Sequence, residues 1–271
     1  MKSIIPKCKW HGFTAYLSAC ASLTLVFSLP LQAQGAGTPA TPADARAQAP
    51  QDLTGYWVSL VTEDWRFRML VADPGDTESV PLNPVGIKAA KAWNPQQAKT
   101  DGADACKAFG AAGLMRIPGR VHITWQDGTT LKVQTDSGTQ TRLFHFGGNA
   151  LAGEPPSWQG YSVASWQGMA PRGPFGRGPV AGQKEGYLQV ITTDLRPGYL
   201  RTNGVPYSGH TRLLEDYDTF AERGGDRYLV ITTIVHDPAY LTQPFVTSTH
   251  FKKLPDGSGW DPTVCRGDEP R

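Results

Sequence analysis

The chain has 271 residues, with 26 basic and 24 acidic side chains, and 10% of its residues are aromatic. Three of the lysines (Lys2, Lys7, Lys9) belong to an apolar N-terminal leader; without them 26 − 3 = 23 basic residues face 24 acidic ones, a net charge near −1. So even a balance excludes the basic footprint of a nucleic-acid binder or of a protein held on an anionic membrane.

Met1–Ala33 reads as a signal peptide, with a basic start, an apolar run from Ala15 to Leu31 and a small-residue cleavage site at Leu31-Gln32-Ala33. Pro30, Gln32 and Gln34 interrupt the run too early for a membrane span. Leu17-Ser18-Ala19-Cys20 matches a lipobox, so a lipid anchor at Cys20 is the variant reading of the same export signal. Residues 34–51 are Ala/Pro/Thr-rich without periodicity, the composition of a disordered linker. The remainder, 52–271, is expected to form a single domain. Two cysteines survive removal of the leader, Cys106 and Cys265, and an even pair in an oxidising compartment predicts a disulfide. A catalytic cysteine is the alternative, and it would need an electropositive site to hold its thiolate.

The first folded stretch is Asp52–Leu70. Tyr56–Val61 is apolar on both faces, as in a strand covered on both sides. From Glu63 the positions Trp65, Phe67 and Met69 alternate with Asp64, Arg66 and Arg68, which predicts a half-buried strand after a bend. Asp73-Pro74-Gly75-Asp76 marks a turn. Asn83-Pro84 opens a capped helix that ends before Asn94-Pro95, and a second short helix is expected over 102–109, together a helical insertion near 83–109.

A β meander follows: Arg120–Gln126, a two-residue hairpin turn at Asp127-Gly128, Leu131–Thr135, a turn at Ser137-Gly138, and Thr139–Phe146. Further strands are expected at Gly186–Thr193, His210–Phe220, Arg227–Val235 and Pro244–Lys252. Ser157-Trp158-Gln159-Gly160 recurs as Ser165-Trp166-Gln167-Gly168, read as two indoles in one strand or hairpin. The Gly/Pro-rich stretch 169–182 is either a lid or a loose insertion. The sum is a mainly β protein, a single antiparallel barrel or sandwich.

Gly55-Tyr56-Trp57, with Leu53 before it, resembles the start of the first strand in lipocalins and the wider calycins. That resemblance implies a barrel in which the Trp closes one end beside a basic residue from a late strand. Over most of the mature chain, YWVSLVTEDWRFRM, GTQTRLFHF, RPGYLRTNGVPYS and PFVTSTHFKK are similar to a family of secreted bacterial proteins without an established activity. It implies export and supplies no function.

Chemistry is sparse. Glu63, Asp64, Arg66 and Arg68 form the densest ionisable cluster near aromatic residues. Facing a cavity, the arginines would fix an anionic ligand and a carboxylate would serve as acid or base; facing water, they are a solvated strand. Glu63 is expected to be buried with a partner such as Arg142 or Arg212. The histidines, including His145 and His250, lack metal-ligand spacing, and no cofactor fingerprint is present. Gly160-Tyr161-Ser162-Val163-Ala164 is a partial nucleophile elbow without the strand–turn–helix context it needs.

The favoured expectation is an exported, soluble barrel that binds a small apolar or aromatic ligand in its mouth. Trp57, Trp65 and Trp125 would supply walls, and Arg66, Arg68 and His145 polar contacts. A cofactor-independent lyase, isomerase or hydrolase is the second reading, with Glu63, His145 or His250 as catalytic candidates. A carbohydrate-binding or cell-envelope module, which needs an exposed Trp platform, is the third. No metal, cofactor or nucleic acid is expected, and oligomeric state is left open.

Overall fold

Alternation builds the body of the molecule. Along Arg227–His236 (β10), Leu229, Ile231, Thr233 and Val235 are buried while the intervening side chains are not. The same period of two runs through Tyr187–Thr193 (β6) and Arg212–Ala221 (β9). These strands join Gly55–Leu60 (β1), Arg120–Trp125 (β2), Thr130–Thr135 (β3), Thr141–Phe146 (β4), Tyr161–Gln167 (β5) and Phe245–Lys253 (β11) in a closed ring. The computed structural model describes residues 44–70, 72–96, 102–148, 155–168 and 186–265. The order around the ring is β1-β11-β10-β9-β6-β5-β4-β3-β2, nine strands.

An odd ring cannot be antiparallel throughout. The one parallel pair is β4–β5, held by only three register pairs (Phe144↔Ser162, His145↔Val163, Phe146↔Ala164), whereas β9–β10 has ten. A parallel neighbour needs a crossover. β5 therefore starts at the end of the barrel opposite to the one where β4 stops.

Both ends are covered and the middle is filled. At the end where β1 begins, residues 44–53 lie across the ring. Asp44 caps the single helical turn Ala45–Gln48 (α1), the Arg46 amide donates to the Gly128 carbonyl, and Trp166 Nε1 donates to the Ala45 carbonyl at 2.8 Å. The last eight residues of the expected disordered linker are thus part of the folded body. Trp57 is fully buried, gives Nε1 to the Leu53 carbonyl at 2.9 Å, and lies under the Lys253 ammonium, 4.5 Å from its ring centre. Gly55 takes φ +104°, and a Cβ there would meet Lys253 Nζ at 2.9 Å, so this position admits only glycine comfortably.

The opposite end is covered by residues 61–70, 72–96, 102–119, 194–211 and 237–244. Asn83 caps Pro84–Lys91 (α3) through its side-chain oxygen, as expected, and Asp76 N to Asp73 O closes the predicted Pro-Gly turn. Gly102–Phe109 is helical, of the tighter 3₁₀ kind, and runs into the buried turn Ala111–Leu114 (α4), which apolar periodicity too short to register had hidden. The paired two-residue strands Gly198–Tyr199 (β7) and Pro206–Tyr207 (β8) sit in the same cover.

The barrel interior holds Ile123, Leu131, Val133, Phe144, Leu188, Val190, Leu229, Ile231 and Phe251 as one apolar cluster. It also holds a charge pair: Arg142 and Glu215, neither with any exposed side-chain surface, meet at 2.5 and 2.9 Å. Thr192 accepts from the same guanidinium, Ser162 bonds Thr192, and Tyr217 leans on both partners. The disulfide Cys106–Cys265 is formed and ties the end of the described chain to the 3₁₀ segment.

Several expectations are corrected. The strand expected over Glu63–Met69 is a left-handed Asp64 (φ 50°) followed by one helical turn, Trp65–Arg68 (α2). In this turn Arg68, whose direction the alternation left open between water and a cavity, points in, and Trp65, predicted inward, is 59% exposed. β1 is not covered on both faces; only Trp57 is buried, and Tyr56 stacks on His122 at the surface, 3.9 Å between ring centres. Asp127-Gly128 is not a two-residue hairpin: residues 126–129 form a longer loop, because the Asp127 carboxylate folds back onto the Thr129 amide and hydroxyl. The two repeated indoles do not share a strand, since Trp166 is in β5 while Trp158 precedes it in the crossover. The leader and the stretch 169–182 lie outside the described residues. Among those described, no helix is long and apolar enough to cross a membrane.

Candidate functional site

Sequence placed two carboxylates and two arginines after β1, and the fold separates them into an inner and an outer group. In the outer group Arg66 is 56% exposed and holds Asp76 at 2.9 Å and Glu78 at 2.5 Å. In the inner group Arg68, with 1% of its side chain exposed, donates Nε to the Arg116 carbonyl at 2.8 Å and Nη1 to Glu63. Arg116 pairs with Asp64 through Nη2, and Arg201 reaches the same carboxylate oxygen at 3.7 Å while lying flat over the Phe67 ring at 3.7 Å. Arg201 also gives Nη1 to the Glu78 carbonyl at 2.7 Å.

Left-handed Asp64 is what makes this convergence possible. It reverses the chain immediately after Glu63, so that the next helical turn sends Arg68 back toward β1's end and Phe67 beneath Arg201. The partner of Glu63 is therefore its own near neighbour Arg68; Arg142 is committed to Glu215 and Arg212 is exposed.

Phe67, Arg68, Ala108, Gly113, Arg116, Ile117, Leu200, Arg201 and Thr202 enclose a cleft with about 10 Å³ of free room, the space one water needs. Burial and the neighbouring Arg116 charge push Arg201 down to about 10. Burial likewise lowers Arg68, against the pull of Glu63. Within this group three guanidinium ions face two carboxylates, and Arg68 Nη2, Arg201 Nε and Arg201 Nη2 are buried without a hydrogen bond among the described residues. A larger hollow of about 230 Å³ follows residues 236–244. Its buried acid, Asp237, is consumed in holding the Ser208 amide and hydroxyl, so size and chemistry disagree and the cleft has the stronger chemistry.

One more group meets Glu63. His250, on β11, brings Nδ1 to 3.1 Å from Glu63 Oε2 and 2.9 Å from Thr62 Oγ1, with about a third of its side chain exposed. A carboxylate on Nδ1 fixes the imidazole's orientation and leaves Nε2 as its open nitrogen, the arrangement of a general base. Of the expected site residues, then, Glu63, Arg68 and His250 come together. His145 stacks on Tyr161 on β4 and β5, across the ring from β11. Trp57 is core, Trp125 packs with Phe146 and Trp166 at the other end, and Trp65 points outward.

Arg116 and Arg201 were missed by sequence reasoning. Their signal was present: each is a lone charge in an apolar run (Leu114-Met115-Arg116-Ile117, Tyr199-Leu200-Arg201), and a charge in that setting is buried only when partnered. Among the described residues no group of three His, Cys, Asp or Glu side chains is arranged to hold a metal. Compared with protein-family models, curated proteins and solved structures, the chain finds no match.

Proposed function

We propose that this is an exported barrel protein that binds a small organic ligand, at the end of the barrel where β1 stops and not in its lumen. One observation carries this reading: the interior is packed with side chains, whereas the cleft beside α2 combines apolar walls (Phe67, Ile117, Leu200) with buried, incompletely bonded guanidinium groups. Apolar walls with a few convergent polar groups are the usual composition of a ligand site. The disulfide supports export, since such bonds persist in oxidising compartments. Lys253 over Trp57 supports kinship with the calycins, whose first-strand Trp packs beside a late basic residue. The test is native mass spectrometry of the protein purified from the periplasm of its own host. A co-purifying small molecule, lost in Phe67→Ala, is the expected result; a bare mass under gentle desolvation refutes the reading.

The Glu63–His250 contact favours a second reading, a cofactor-independent enzyme with His250 as base, Glu63 as its orienting carboxylate and Arg68 fixing Glu63. Turnover of a host extract that disappears in His250→Asn and weakens in Glu63→Gln is its signature. A sugar platform has less behind it, because Trp65 stands alone as a mostly exposed indole among the described residues.

A further inference from the structure

The inner arginine cluster is short of negative charge, and the shortage is local. Arg68, Arg116 and Arg201 face Glu63 and Asp64, three charges against two, with 1%, 8% and 2% of the three guanidinium side chains exposed. Asp76, largely buried, and Glu78 also pull on Arg201, but both are engaged by Arg66, so the three inner guanidinium groups have only Glu63 and Asp64 in direct contact. A buried cation without full compensation is costly, and proteins keep one only where something else supplies the charge. The missing partner also has hydrogen bonds waiting: Nη2 of Arg68, and Nε and Nη2 of Arg201, are buried and unbonded among the described residues. A water molecule fits the free space of about 10 Å³ and could meet some of those nitrogens, but it cannot bring the charge.

We infer that the cleft bounded by Arg68, Arg201 and Phe67 is a carboxylate-binding site, taking one carboxylate oxygen of a small organic acid. Three features select this chemistry. The donors belong to planar guanidinium forks, whose geometry matches a carboxylate. The free room takes a single oxygen atom, so the rest of the ligand stays outside it. Phe67 and Ile117, both half-buried, border the cleft and suit an apolar body attached to the acid. This inference rests on the binding function proposed above and adds the identity of the group that anchors the ligand.

Isothermal titration of the mature, disulfide-bonded protein with benzoate, benzyl alcohol and inorganic phosphate at constant ionic strength tests it. Benzoate is expected to bind one site at least tenfold more tightly than benzyl alcohol. Arg201→Met should abolish that preference, Arg201→Lys should reduce it while keeping the charge, and Arg212→Gln, on the exposed face of β9, should leave it unchanged. Should Arg201→Met fail to fold, the Arg201→Lys reduction against an unchanged Arg212→Gln decides the matter. Equal binding of benzoate and benzyl alcohol, or a preference that survives both Arg201 variants, overturns the carboxylate anchor and leaves ligand binding intact. Phosphate binding more tightly than benzoate overturns the choice of carboxylate. No binding of any probe overturns the inference, while a co-purified neutral molecule in the native mass spectrum would keep the broader function standing.

Discussion

Arg142 and Glu215 meet inside the barrel with no exposed surface on either side chain. Burial alone would lower the guanidinium, but the Glu215 charge and the Tyr217 hydroxyl hold it above its ordinary range, so Arg142 stays charged. Tyr217 in turn is raised by burial and by Glu215, which keeps its hydroxyl protonated as a donor to the carboxylate. Arg142→Met strands a buried carboxylate and is expected to cost about 3–5 kcal/mol in urea unfolding, whereas the double variant Arg142→Met/Glu215→Leu recovers most of that loss. Arg201 has the opposite sign. Its folded-state pKa is pushed down to about 10, below the ordinary guanidinium range, so from there upward the unfolded chain binds the extra proton and stability from this group rises with pH across that window. Below pH 10 the charged Arg201 is a constant cost. Arg201→Met is therefore expected to raise stability at pH 7 by about 1 kcal/mol and to flatten the alkaline limb of the stability curve. These roles were only half legible in the sequence. Glu63 stood out as a carboxylate in need of a partner, but its partner is set by the left-handed Asp64, a conformation no local pattern announces.

At the scale of elements, strands with five or more alternating positions were readable, and β2, β3, β6, β9, β10 and β11 all fall where periodicity put them. The same reasoning failed on 63–69, where seven residues alternate but the burial of Arg68 overrides the pattern. β5 was hidden behind the Trp-Gln repeat, and α4 behind its small residues. Cys106–Cys265 closes a loop of 159 residues, and loop-closure entropy assigns it about 5 kcal/mol before any strain. Cys106→Ala/Cys265→Ala should lose a comparable amount in denaturant unfolding and free the 254–265 tail to proteolysis; a loss under 1 kcal/mol would show that the unfolded chain is already compact there. Gly55→Ala should cost about 1–3 kcal/mol, because φ +104° and the 2.9 Å approach of Lys253 both oppose a methyl group. Restoration by the further change Lys253→Ala would assign the larger share to the contact, and no restoration would assign it to the backbone.

At the scale of the molecule, closure of the ring couples every strand to two neighbours and leaves no edge among the nine. The joints are unequal. Amide exchange is expected to be fastest at the three-pair β4–β5 joint, around Val163 and Ala164, and slowest along the ten-pair β9–β10 ladder; uniform protection around the ring would contradict this.

The parallel joint has a consequence that parity makes inescapable. A ring of alternating up and down members behaves like a ring of antiferromagnetic spins: with an odd count, one bond must be frustrated, and it can be moved but not removed. Here that bond starts β5 at the end of the barrel opposite to the one where β4 stops, and the residues before β5 deliver Gln159 to the Phe109 carbonyl at 2.8 Å and the Trp158 carbonyl to the Ala111 amide at 2.9 Å. The ninth strand thus determines how the covered end is braced. Gaining or losing a hairpin keeps the count odd and so keeps at least one parallel joint; gaining or losing a single strand makes it even, and the parallel joint then either vanishes or is joined by a second.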